Sequence, residues 1–91
     1  MLLVSYDISN DQLRTRFAKF LKKYGYRLQY SLFEIKNSEK YLENIQTQIE
    51  SSFSKYFDQA DSVMIFQMSK TCKITKYGYA KNDDDELLIV G

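Results

Sequence analysis

Asp7 closes the stretch LLVSYD, in which apolar Leu2, Leu3 and Val4 give way to polar residues, so the pattern delivers one carboxylate to the end of a strand. Strand ends at the rim of a sheet are where magnesium and nucleic-acid chemistry is often carried out. The chain contains no histidine, which removes the usual general base, the usual transition-metal ligand and every Ser-His or Cys-His nucleophile. Chemistry here must run through carboxylates, whose oxygens favour magnesium, or manganese, over zinc or copper. Cys72 stands alone, which excludes an intrachain disulfide and a thiolate-rich zinc site.

The bases that accompany Asp7 are concentrated. Arg14, Arg16, Lys19, Lys22, Lys23 and Arg27 fall within fourteen positions free of acid. Up to Lys36 the chain carries seven basic and three acidic residues, a net +4, and beyond it six against nine, a net −3, so the overall +1 hides a segregation. A basic cluster of this kind is the footprint of a phosphate backbone, although a solvated helix face gives the same composition.

These groups are held by a regular alternation of elements. A strand spans residues 2 to 6, and Ser9 with Gln12 three positions later fits a capping box for a helix starting near Asn10. Leu13, Phe17, Phe20, Leu21 and Tyr24 recur as one apolar helical stripe, which leaves Arg16, Lys19, Lys22 and Lys23 facing away from the core and Arg14 at its flank. Gly25 is expected to terminate that helix. Tyr26 to Ile35 alternates and then changes register near Leu32 and Phe33, which reads as a strand pair or as one bent strand. Ser38 to Phe57 has helical period through Leu42, Ile45, Ile49, Ser52 or Phe53, and Tyr56. Asp61 to Met68 reads as a compact strand, and Cys72 to Tyr77 as a shorter one ending at Gly78.

Strand, helix, strand pair, helix, strand is the split βαβ pattern, so the expected fold is α+β, a ferredoxin-like βαββαβ sandwich with an additional C-terminal strand. Ninety-one residues suit one domain, taken as residues 1–82, with 83–91 as an acidic then apolar tail, DDDELLIVG, able to add a strand to a neighbour. A chain this short buries little of its surface, and its eight Tyr and six Phe suit subunit interfaces, so a homodimer is expected. With no signal peptide and no long apolar run, a cytoplasmic protein with no membrane partner is expected. Fold alone names no function. The paired aromatics of an RNA-recognition strand are absent, as is the CxxC of a metal carrier.

VSYDIS after the first strand, DQLRTRFAKFLKKYGYRLQYSLFE through the first helix and second strand, and the later MIFQM closely resemble the CRISPR-associated Cas-two family, over nearly the whole chain. The resemblance implies a ferredoxin-like homodimer that partners the CRISPR integrase, with Asp7 of each subunit facing its mate near the twofold axis. It implies Asp7 as catalytic residue and Mg2+ ligand, Mn2+ being an alternative ion, and an activity of endoribonuclease or endonuclease type on RNA or double-stranded DNA. It also implies nucleic-acid roles for Arg14, Arg16, Arg27 and Phe33, to which the basic helix adds Lys19 and Lys23. Two like carboxylates brought together by symmetry make a better magnesium site than one. Asp7 also reads as a turn-forming Asx residue, and Phe33 and Tyr30 as sheet core or dimer packing rather than base-stacking platforms. The standing alternative is a non-catalytic scaffold whose basic helix faces bridge duplex DNA.

Overall fold

A computed structural model describes residues 1–68 and 73–78. The elements run β1 (Leu2–Asp7), α1 (Asp11–Lys22), β2 (Gly25–Gln29), β3 (Leu32–Ile35), α2 (Ser38–Gln48), β4 (Ser62–Gln67) and β5 (Lys73–Gly78). All five strands form one antiparallel sheet in the order β2-β3-β1-β4-β5. The first four strands with their two helices are the ferredoxin-like split βαβ, and β5 extends the sheet beyond β4. The tail at residues 83–91 and Cys72 lie outside the described residues.

Alternation along β1 sorts its side chains. Leu2, Val4 and Tyr6 are buried under the helices, and Leu3, Ser5 and Asp7 take the other face. The α1 stripe docks as its spacing requires, burying Leu13, Phe17, Phe20 and Leu21. Phe17 is the hub, with ring centroids 5.2 Å from Tyr6, 5.8 Å from Phe20 and 4.9 Å from Phe53, and the Tyr6 and Phe53 contacts are edge-on. Each fully buried ring of this kind contributes roughly 1.5–3 kcal/mol by removal from water.

Four local expectations are corrected. The helix cap is Asn10, whose side chain accepts from Leu13 N–H at 2.8 Å, and not Ser9, whose hydroxyl is engaged elsewhere. Gly25 does not terminate α1. It opens β2, where an added Cβ would stand 1.9 Å from the Glu34 carbonyl oxygen, so close strand approach and not a left-handed cap selects glycine. The Tyr26 to Ile35 segment is a hairpin, and its register shift falls between Arg27 and Gln29 rather than at Leu32 and Phe33. The second helix does not run on to Phe57. After Gln48 it widens into a π turn, Ile49–Phe53, followed by a 3-10 turn, Ser54–Tyr56. Ile45, Ile49 and Phe53 repeat every four residues, which drifts around a 3.6-residue helix, and the wider turn returns Phe53 to the buried side.

The Asp7 strand end and the basic cleft of α1

The β1–α1 turn that follows Asp7 is tied down at several points. Ser9 donates its backbone N–H at 2.9 Å and its hydroxyl at 3.0 Å to Asp61 Oδ1, and Asp58 N–H donates to Oδ2 at 2.8 Å. Asp61 is only 1% exposed. Burial alone would raise its pKa, but the hydrogen bonds from Asp58 and Ser9 prevail and hold its carboxyl below the usual value of 3.8. Arg14 completes the turn, donating to Ile8 O at 3.0 Å and Ser9 O at 3.3 Å and pairing with Asp11. Asp61, read as a strand start, Ser9, read as a helix cap, and Arg14, read as a nucleic-acid contact, therefore together fix the exit of β1.

Asp7 itself is exposed on the sheet face away from the helices, opposite Ser62 in the register. No group of three or more His, Cys, Asp or Glu stands together among the described residues. Asp61, one residue from that register partner, is buried and accepts three hydrogen bonds from Ser9 and Asp58. Among the described residues, then, Asp7 has no cluster of further carboxylates with which to hold a metal ion. Around Asp7 this face is apolar and half-covered. Leu3 lies between Glu34 and Phe66 in the register, and Ser5 between Leu32 and Met64. Leu3, Leu32, Met64 and Phe66 are all of intermediate burial. Tyr26 donates to Glu34 Oε1 at 2.7 Å at the edge of this face, and that bond, with the neighbouring charge, raises the phenol's pKa.

The cations divide around α1. Arg14, Lys19 and Lys22 on one flank meet Arg27 of β2 in a cleft floored by Tyr6 and Ala18. Arg27 lies over the Phe33 ring, its guanidinium carbon 5.3 Å from the centroid. Phe33 is fully buried, so what it offers a ligand is a rigid support for Arg27 and not a surface of its own. Arg16 points elsewhere, over Phe53 at 5.5 Å and Tyr56 at 5.9 Å, where it braces the π turn. Lys23 caps the C-terminal end of α1 and is exposed. Among the described residues the single ion pair is Arg14 with Asp11, which leaves Lys19, Lys22, Lys23 and Arg27 without a carboxylate partner. Their charge is therefore available to an external anion.

A ferredoxin-like sheet with an exposed carboxylate at the end of its first strand, and behind it a basic helix face without carboxylate partners among the described residues, defines a small ferredoxin-like α+β protein. Residues 1–75 match the family described as CRISPR associated protein Cas2, and the chain belongs to that family. A CRISPR-associated endoribonuclease Cas2 of Methanospirillum hungatei is 28% identical over 90 residues, covering 97% of each chain. One from Mycobacterium tuberculosis is 31% identical over 77 residues, covering 85% of this chain and 65% of its own. A third, from Chloroflexus aurantiacus, is 59% identical over 32 residues, covering 35% of this chain and 34% of its own. No solved structure matches the chain. Among the described residues no helix is long and apolar enough to cross a membrane.

Proposed function

We propose that this Cas2 protein works in CRISPR adaptation as a homodimer that grips nucleic acid through the basic side of α1 and partners the CRISPR integrase. The observation that carries the reading is the segregation of Lys19, Lys22, Lys23 and Arg27 on α1 and β2, without carboxylate partners among the described residues. Such cations bind phosphates by counterion release, which is indifferent to base sequence and suits a protein that must handle many different fragments. The apolar half-covered face through Leu3, Leu32, Met64 and Phe66 suits a second copy of the chain, and a twofold axis there brings the two Asp7 residues to one interface.

Cleavage of RNA or DNA is the second reading, favoured by the exposed Asp7 and by the nuclease names of the relatives. Two Asp7 carboxylates suit a hydrated Mg2+ or Mn2+, which supplies charge neutralisation and an activated water when bound. Asp7 would hold the ion, and Lys19 and Arg27, behind the sheet, would anchor the strand. A site with one carboxylate per chain and no histidine has no protein general base of its own, and for that reason the scaffold is the preferred reading.

Spacer acquisition in cells that carry the cognate integrase tests both. Wild type is compared with Asp7→Asn and with a fourfold reversal of Lys19, Lys22, Lys23 and Arg27 to Glu, with dimer state followed by light scattering. The scaffold requires loss on charge reversal, with duplex affinity falling and its log-log salt slope flattening by about 0.9 for each phosphate contact removed. Full acquisition by the reversal variant refutes it. Loss of acquisition in Asp7→Asn with the dimer intact shifts the conclusion to the carboxylate site.

A further inference from the structure

The cleft between α1 and the β2–β3 hairpin is more than a charged surface. It encloses about 380 Å³ and is lined by Arg14, Lys19, Lys22 and Arg27 together with Tyr6 and Tyr30, and no acidic side chain lines it. That volume lies within the roughly 300–1,000 Å³ of small-molecule sites and suits one nucleotide, not a base-paired step. Two further observations give the cleft direction. Tyr6 is only 5% exposed, yet it forms the floor, and its hydroxyl makes no hydrogen bond among the described residues. A buried phenol of this kind ordinarily has a partner, and an acceptor bound in the cleft that Tyr6 lines is one it could take. Tyr30, at the hairpin tip, is 80% exposed and stands at the rim. An aromatic ring left in water beside four cations is the combination by which proteins hold unpaired bases: the ring stacks on the base and the cations take the phosphate.

We propose that this cleft binds a single unpaired nucleotide, its phosphate among Lys19, Lys22 and Arg27 and its base on Tyr30. The ligand is either a free nucleotide or the unpaired terminal nucleotide of a strand, which present the same chemistry. The inference extends the reading of α1 as a nucleic-acid interface and is separable from it, because the cleft lies on the helix side of the sheet and can be tested with a ligand that has no duplex. It also separates the cleft from Asp7, which occupies the opposite face.

Titration of the full chain with uridine monophosphate, uridine and inorganic phosphate, followed by amide NMR, is the test. Uridine monophosphate is expected to shift the Ala18, Lys22 and Ser31 amides and to bind at least 10-fold tighter than either fragment. Tyr30→Ala, at an exposed position that the fold does not need, is expected to weaken that binding about 5-fold or more and to leave phosphate binding unchanged. Tyr30→Phe retains it, and Lys22→Glu weakens nucleotide and phosphate alike. Equal affinity for phosphate and the nucleotide, or indifference to Tyr30→Ala, overturns the proposal and leaves only a charged surface. A duplex with a short single-stranded overhang identifies the source: tighter binding than the mononucleotide, lost in Tyr30→Ala, assigns a strand end, and binding no better than a blunt duplex assigns a free nucleotide. Blunt-duplex binding itself, probed with Lys23→Glu outside the cleft, reports on the duplex interface alone, so failure of one reading is not mistaken for failure of the other.

Discussion

Asp61→Asn exposes how the end of β1 is held. The carboxylate accepts from Ser9 N–H and Ser9 Oγ through one oxygen and from Asp58 N–H through the other. An asparagine can present its oxygen to only one of these two groups. With oxygen toward Ser9 its amide nitrogen faces the Asp58 N–H, and with oxygen toward Asp58 it faces the Ser9 N–H, so either rotamer leaves one backbone donor unpaired at a site that is 1% exposed. An unsatisfied buried donor costs about 1–3 kcal/mol, and the surviving bonds lose the charge that made them strong. A total of about 2–3 kcal/mol follows, which for a domain of this size lowers Tm by roughly 10–20 °C. The pH dependence has a definite sign. Because folding depresses the Asp61 pKa below 3.8, its contribution is complete above the unfolded value and is lost as pH falls through the folded one. Calorimetry at neutral pH should therefore show the full deficit, and the gap between wild type and variant should narrow below about pH 3.8. A Tm within about 2 °C of wild type at neutral pH would refute this account of the turn.

Other consequences are more local. Asn10→Ala removes the α1 cap and is expected to cost about 1 kcal/mol by urea unfolding, whereas Ser9→Ala leaves that cap in place and removes only the hydroxyl bond to Asp61. Gly25→Ala pushes a Cβ onto the Glu34 carbonyl and should cost about 1–3 kcal/mol, with loss of amide protection confined at first to the β2–β3 hairpin. Phe17→Ala empties the centre of the aromatic cluster and should cost about 3–5 kcal/mol, enough to leave thermal unfolding broad or absent at room temperature.

What the residues disclosed and what they withheld differ in range. The apolar run that opens β1 and the α1 stripe are local patterns, and Leu2, Val4, Leu13, Phe17 and Leu21 are buried. The π turn is not a local propensity: it arises because Phe53 must rejoin a core shared with Phe17 and Phe20. Asp61 reads only as the first residue of a strand, because its partner Ser9 is 52 positions away. The grouping of Arg14 and Lys19 with Arg27 depends on where the hairpin folds back, and the diversion of Arg16 depends on the end of α2, neither of which helical periodicity carries. Asp7's exposure at the strand end was legible because the apolar run stops just before it.

The two-residue repeat of β1 has a consequence for how this protein can change. Even-numbered positions Val4 and Tyr6 address the helix side, and odd-numbered Ser5 and Asp7 address the open side, so a single peptide link separates the floor of the cleft from the carboxylate. Substitution at one parity leaves the other surface as it was, and the two surfaces can drift independently. A one-residue insertion or deletion within the strand would instead exchange their contents at a stroke, putting the acid among the bases and the ring in solvent. Point replacement is thus the open route for variation along this strand, and change of length is the closed one.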